Sequence, residues 1–151
     1  MIRHATPDDL PRLKEMGRAM HAESPVLSVF EIDMDKVEQS IVFGMKKGVV
    51  LVHLDAAEAI DGVFLGVVNE WWFSRRLMFC DLAFYVVPES RGGLVAFRLL
   101  RAALDWARDQ GLNPEDVQLG VSTGVHPELT GRLYERFNFE RFGDLYRLKE
   151  F

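Results

Sequence analysis

The sequence predicts one α/β domain built on a mixed sheet with helices on both faces. Three observations predict it. The chain has 151 residues, the size of one ordinary domain. Its hydrophobic pattern switches between a period near two and a period near 3.6. The elements run β-α-α-β-β-β-α-β-α-β. In that order, strand–helix–strand crossovers make parallel pairs and the central run makes hairpins. No internal repeat, low-complexity run or linker interrupts the pattern, so residues 1–151 are read as a single domain.

Met1 to His4 reads as a short first strand. Thr6-Pro7-Asp8-Asp9 opens a helix: Thr6 caps, Pro7 takes the first turn, and the acids suit the positive end of the dipole. Leu10, Leu13, Met16 and Met20 come next at helical spacing. Glu23-Ser24-Pro25 breaks the pattern. A second helix covers Asp33 to Lys47, with Met34, Val37, Ile41 and Met45 on one face and Gly48 as its stop. Val49 to Leu54 is a strand, and Asp55 to Asp61 a turn. Gly62 to Phe73 is a long apolar strand. Ser74-Arg75-Arg76 turns the chain, and Leu77 to Val87 returns as another strand. Pro88 ends it. A long helix runs from about Gly92 to Gln110, closed by Gly111. Val117 to Val121 reads as a buried strand and Glu128 to Phe137 as a shorter helix. Phe139 to Phe142 and Leu145 to Lys149 are expected as one or two closing strands.

Composition narrows the function. Apolar residues make up 48% and charged residues 27%, with a net charge of −5. No run of Lys or Arg longer than two occurs, which argues against a nucleic-acid partner. An acidic balance suits a cationic substrate such as an amine. No apolar stretch approaches membrane-spanning length, so no membrane partner is expected. The N-terminus lacks the apolar core of a signal peptide. With the single cysteine, Cys80, this places the expectation in the cytoplasm. One Cys and four scattered His give no zinc-ligand spacing, so no metal is expected.

The most informative stretch is Phe84-Tyr85-Val86-Val87-Pro88-Glu89-Ser90-Arg91-Gly92-Gly93-Leu94-Val95-Ala96. It reads as a strand, a sharp stop, a Gly-Gly turn and a helix. A helix N-terminus presents unpaired N–H groups and partial positive charge, which suit a phosphate. Two glycines let the backbone approach an anion, and Arg91 adds a forked cation. A plain strand-to-helix turn uses glycine in the same way, so the segment alone leaves both readings open. It is neither G-x-G-x-x-G nor G-x-x-x-x-G-K-[ST], which removes support for nicotinamide and nucleotide-triphosphate sites. A second stretch, Arg132-Leu133-Tyr134-Glu135-Arg136-Phe137-Asn138-Phe139, taken alone reads as a helix packing on a core.

Together the two stretches resemble the signature regions of the GNAT superfamily of N-acetyltransferases. The first is similar to the acetyl-CoA motif R/Q-x-x-G-x-G/A after a strand ending V-x-P. The second is similar to L-Y-E-x-x-G-F. Their order, their separation of roughly forty residues and the opening Ile2-Arg3-His4-Ala5-Thr6-Pro7-Asp8-Asp9 extend the resemblance over essentially the whole chain. Two positions depart. Leu94 stands where the motif has its first glycine, with glycine one place earlier at Gly93. Asn138 replaces the glycine before the final Phe.

The resemblance implies a parallel strand pair, Leu77–Val87 with Val117–Val121, that splays apart. The pantetheine arm of acetyl-CoA would pair with the exposed strand at Tyr85, Val86 and Val87. Its pyrophosphate would rest on Arg91, Gly92, Gly93, Leu94, Val95 and Ala96. Tyr134 takes the family's position of general acid. The base is open: Glu70 near the expected substrate mouth, Asp81 within an apolar strand where a lone carboxylate is costly, or a water chain. Glu23 and His21 stand after the first helix, where the family places substrate-facing residues. Each of these acids has a plainer alternative as a solvated or salt-bridged side chain. Trp71, Trp72 and Phe73 line a substrate pocket, form a homodimer contact or pack in the core. The expected activity is acetyl transfer from acetyl-CoA to an amine of a small molecule or peptide. The alternative is a catalytically silent acyl-CoA-binding or protein-interaction domain on the same fold.

Overall fold

The computed structural model describes residues 1–151. β1 (Ile2–His4), β2 (Gly48–Leu54), β3 (Ile60–Glu70), β4 (Leu77–Val86) and β5 (Val117–Gln118) lie side by side in that order. Only the β4–β5 pair is parallel. α1 (Leu10–Glu23) and α2 (Met34–Lys47) cover one face of the sheet. α3 (Val95–Asp109) and α4 (Pro127–Arg136) cover the other.

Strand alternation divides the core in two. Val50, Val52 and Leu54 of β2, with Val63, Leu65 and Val67 of β3, meet Leu13, Met16 and Ile41 of α1 and α2. Val49, Leu51 and Phe64 face the other way, onto Leu99, Leu100, Ala103 and Ala107 of α3 and Tyr134 of α4. Both faces of β2 and β3 are covered, which explains their unbroken apolar runs. Phe64 and Phe79 are fully buried, each stabilising the fold by about 1.5–3 kcal/mol through lost water contact. A side chain at Gly66 would fall 2.4 Å from the Phe79 ring, so this close approach requires glycine.

Local chemistry sets the helix starts. Asp33 accepts from the N–H groups of Asp35 and Lys36 at 2.9 and 3.0 Å, capping α2. Asp9 accepts from the Thr6 N–H at 2.7 Å in a capping box ahead of α1.

The sheet changes character halfway along β4. Pairing with β3 steps from Leu65↔Ala83 to Gly66↔Asp81, leaving Leu82 without a partner. This bulge bends β4 and increases its local twist. On the other side, β5 pairs with β4 only at Phe79↔Val117 and Cys80↔Gln118. From Asp81 onward the outer edge of β4 has no strand beside it.

Several element boundaries differ from the sequence expectation. β5 stops at Gln118 rather than Val121, because β4 has turned away and offers no further partner. β3 ends at Glu70, and Trp71 to Phe73 belong to the turn. α3 begins at Val95 rather than Gly92, because Gly92 holds φ +81 and Leu94 φ −94, ψ 3. The closing strands at Phe139–Phe142 and Leu145–Lys149 are not formed. Asn138 turns the chain at φ 66, and the segment after it finds no sheet edge. The Arg147 guanidinium instead donates to the Val26 carbonyl at 2.9 Å and lies over the Phe30 ring. No helix is long and apolar enough to cross a membrane.

Candidate active site

The site builds outward from the point where β4 and β5 part. Just beyond the last pair, Gly120 is held from both sides. Its N–H donates to Asp81 Oδ1 at 2.7 Å. Its carbonyl accepts the Tyr134 hydroxyl at 3.2 Å. Asp81 comes from β4 and Tyr134 from α4, so one glycine joins three elements at the mouth of the divergence.

Both titrating groups are shifted here. Burial raises Asp81 above the usual carboxylate range, against the Gly120 N–H, which favours the ionised form. Burial raises Tyr134 well above an ordinary phenol, and the charge of Asp81 adds to it. Tyr134 therefore stays protonated at any physiological pH. Burial also raises the Cys80 thiol, with Asp81 again contributing, so Cys80 is a poor nucleophile.

The second part of the site lies at the far end of β4. Pro88–Ser90 forms a single tight turn, and Gly92 then takes φ +81, a backbone that glycine adopts without strain. The N–H groups of Gly92, Gly93, Leu94, Val95, Ala96 and Phe97 have no hydrogen-bond acceptor within the chain; the first bond of the helix is Arg98 N–H to the Leu94 carbonyl at 2.9 Å. Such a run of unpartnered donors at the positive end of a 15-residue helix forms a cradle that suits an anion.

Arg91 does not point freely into that cradle. Its Nε donates to the Val86 carbonyl at 2.8 Å, and its two terminal nitrogens hold the Glu23 carboxylate at 2.5 and 2.7 Å. The guanidinium also lies 5.4 Å from the centre of the buried Tyr85 ring. Arg91 keeps Glu23 below the usual carboxylate range. Tyr85 is raised, first by burial and then by Glu23.

The structure thus brings together Tyr134 and Asp81 at the divergence. It brings together Tyr85, Val86, Arg91 and Glu23 at the loop, with Gly92, Gly93, Leu94, Val95 and Ala96 in the cradle and Val87 at the strand's end. Glu70 and Trp71 stand apart. Glu70 pairs with Leu77, four residues along β3 from the Gly66 that faces Asp81, or about 13 Å. Trp71 packs on Phe73 at 5.4 Å in the exposed turn beyond. His21 faces the α1–α2 connection, 3.0 Å from the Phe30 carbonyl.

Sequence reasoning missed Ser24 and Gly120. Ser24 is fully buried. Its hydroxyl donates to the Thr123 carbonyl at 2.5 Å and accepts from Leu27 N–H at 3.0 Å, fastening the α1–α2 connection to the segment after β5. Its signal was a Ser-Pro at a helix end. The signal for Gly120 was an isolated glycine in a strand pattern, which often marks a close backbone approach. Also unforeseen is a buried pair on the α3 face. His53 Nδ1 lies 2.6 Å from Asp61 Oδ1, and His53 Nε2 has no partner.

No protein-family model matches the chain, and no curated protein matches it. Solved structures do match over nearly its whole length. One is the apo aminoglycoside 6'-N-acetyltransferase from Acinetobacter haemolyticus, at 12% identity and TM-score 0.72, covering 99% of this chain and 97% of that one. Another, from Clostridium acetobutylicum, is named a predicted acetyltransferase and was solved with acetyl-CoA; it matches at 13% identity and TM-score 0.75, covering 99% and 95%. A third is named a transcriptional regulator, from Bacillus halodurans, at 16% identity and TM-score 0.73, covering 99% of both chains. The chain has the fold of the GNAT-type acetyltransferases.

Proposed function

We propose that the protein is an N-acetyltransferase that moves an acetyl group from acetyl-CoA to a primary amine of a small molecule or peptide. One observation carries this reading: the unpartnered N–H run from Gly92 to Phe97 lies at the end of a strand that has no strand beside its outer edge from Asp81 onward, where Arg91 takes only the Val86 carbonyl. A pyrophosphate suits the first feature, and a pantetheine arm, with its two amides, suits the second. No phosphate-binding reading based on the cradle alone accounts for the open strand.

Acetyl-CoA would supply an activated thioester, so the protein needs no nucleophile of its own. Its residues would place the amine and handle two protons. The amine nitrogen bonds to the thioester carbon, the carbon–sulfur bond breaks, and amide and thiol result. Asp81, whose proton affinity burial raises, is the proposed acceptor of the amine's proton. Tyr134, held neutral, is the proposed donor toward the departing sulfur. Its hydroxyl must first turn from the Gly120 carbonyl.

A second reading has its own support. The Arg91 guanidinium and the Tyr134 hydroxyl are both engaged within the chain, as they would be in a silent acyl-CoA-binding domain. Free-thiol release from acetyl-CoA over a panel of amines separates the two. Binding with amine-dependent release supports the enzyme. Binding without release across small-molecule and peptide amines leaves the silent domain. No calorimetric heat and no thermal shift at millimolar acetyl-CoA sinks both.

A further inference from the structure

Arg91 is the one cationic side chain in the stretch Pro88–Phe97. Glu23, the last residue of α1, occupies it from 68 positions away in sequence. A carboxylate is poorly placed at a helix C-terminus, where the dipole is negative. The two-pronged contact with Arg91 compensates for that placement. Both side chains remain more than a quarter exposed, at 27% and 29%, so a ligand can reach them. Glu23 makes no bond to the cradle N–H groups beside it. The loop therefore holds two anion-seeking features in different states: the cradle is open and the arginine is taken.

Resting on the acetyl-CoA reading, we propose that Glu23 is a specificity-determining residue for the cofactor, the resident counter-ion of Arg91, which yields only to an anion that also fills the Gly92–Phe97 cradle. A ligand that meets Arg91 alone exchanges one ion pair for another and leaves Glu23 uncompensated at the end of α1. A pyrophosphate spanning cradle and guanidinium gains the cradle's donors as well, and that gain drives the exchange. Glu23 thereby sets a threshold against small anions.

The test compares CoA with pantetheine, which has no phosphate, by calorimetry on wild type, Glu23→Gln, Arg91→Ala and the double variant. Glu23→Gln keeps the shape of the side chain and removes its charge. CoA binding should tighten about two- to fivefold, the range of one partly exposed ion pair. Pantetheine binding should not change. In the Arg91→Ala background the effect of Glu23→Gln should vanish, because the counter-ion has nothing left to mask. Glu89→Gln controls for bulk charge: Glu89 is exposed in the same loop and forms no ion pair. Its effect on CoA should persist without Arg91. Unchanged or weaker CoA binding in Glu23→Gln overturns the proposal. So does a tightening that survives Arg91→Ala. If wild type binds CoA and these outcomes appear, only the role of Glu23 is lost. If no form binds CoA, the acetyl-CoA reading falls and takes this inference with it.

Discussion

The two sides of the sheet are braced differently. At β1 the backbone is tied inward to β2 and a side-chain pair braces the strand's end. The Met1 ammonium donates to the Leu54 carbonyl at 2.7 Å, Ala5 N–H to the Val50 carbonyl at 2.8 Å, and Arg3 grips Asp9 with two bonds of 2.7 and 2.9 Å. At the other side, β5 supports β4 for two pairs and then leaves it. An unpaired edge invites unwanted strand pairing, and short edge strands limit it. β1 exposes only three residues, whereas β4 runs on from Asp81 to Val86 with no strand beside its outer edge. The β1 side is short and fastened by the Met1 and Arg3 bonds. The open edge is flanked by Tyr134, Asp81 and the cradle; on the proposed acetyl-CoA reading, a ligand would become the next strand there.

The largest expected effect comes from the open side. Tyr134→Phe removes one hydroxyl and keeps the ring in its buried place. If Tyr134 protonates the leaving sulfur, turnover falls by about 10²–10⁴ with acetyl-CoA affinity nearly unchanged. Stability should drop by only about 0.5–1.5 kcal/mol, because Gly120 is exposed and water can replace the hydroxyl at its carbonyl. Turnover and melting temperature measured on one preparation decide the matter. Near-normal turnover would remove Tyr134 from the chemistry and erase the functional half of the contrast between the edges.

The next effect is structural and belongs to both sides. Phe79 is fully buried, packs on Phe64 and Trp106, and sits in the β4–β5 pairing. Phe79→Ala should cost about 3–5 kcal/mol through lost burial and a cavity, read from denaturant unfolding. A cost under about 1 kcal/mol, far below that of a buried aromatic, would mean that the paired part of β4–β5 is not anchored as described.

How much of this is legible in the sequence depends on whether neighbours along the chain or in space decide the feature. Helix α2 with its Asp33 cap, the Gly-Gly turn and the β3–β4 hairpin arise from local signals. The divergence of β4 from β5 does not. It depends on the unpaired Leu82 and on Gly120 being claimed by Asp81 and Tyr134, contacts spanning 39 and 14 positions. The same reason explains the closing strands expected at Phe139–Phe142 and Leu145–Lys149. Their residues carry a strand-like pattern, yet a strand needs an adjacent edge, and the chain's course after Asn138 provides none. In the site, Arg91 and Tyr134 are legible as motif residues. The grip of Glu23 on Arg91 joins two distant segments and leaves no trace in spacing.

A smaller effect tests the cradle. At Gly92 an added Cβ meets nothing within 4 Å, so Gly92→Ala introduces no clash. Its cost is conformational, about 1–2 kcal/mol for a left-handed backbone. If relaxation of that strain turns the N–H groups away, CoA binding weakens about tenfold, while pantetheine binding stays as it was. Equal weakening of both ligands would show that the loop does not read phosphate.

The smallest effect is a difference of sign between the edges as pH changes. At the β1 edge, Arg3 holds the Asp9 carboxyl down to about 2, below its ordinary 3.8, with Thr6 N–H helping and burial opposing. The unfolded chain then binds more protons than the folded one between those values. Stability from this group is present above pH 3.8 and is lost as pH falls through about 2. After allowing for solvent screening at the partly exposed Arg3, it amounts to about 1 kcal/mol. At the open edge, burial raises Asp81, so the folded chain binds the extra proton and stability falls as pH rises above the ordinary carboxylate value. Asp9→Asn should therefore be less stable than wild type at about pH 7 and converge with it near pH 2. Asp81→Asn should be at least as stable as wild type at about pH 7, losing any advantage below about pH 4, since Asn still accepts the Gly120 N–H. Melting curves of the three proteins at about pH 2, 4 and 7 make the comparison. Parallel pH profiles for both variants would mean that the two carboxylates sit in equivalent surroundings, and the distinction between a fastened edge and an open one would lose its electrostatic basis.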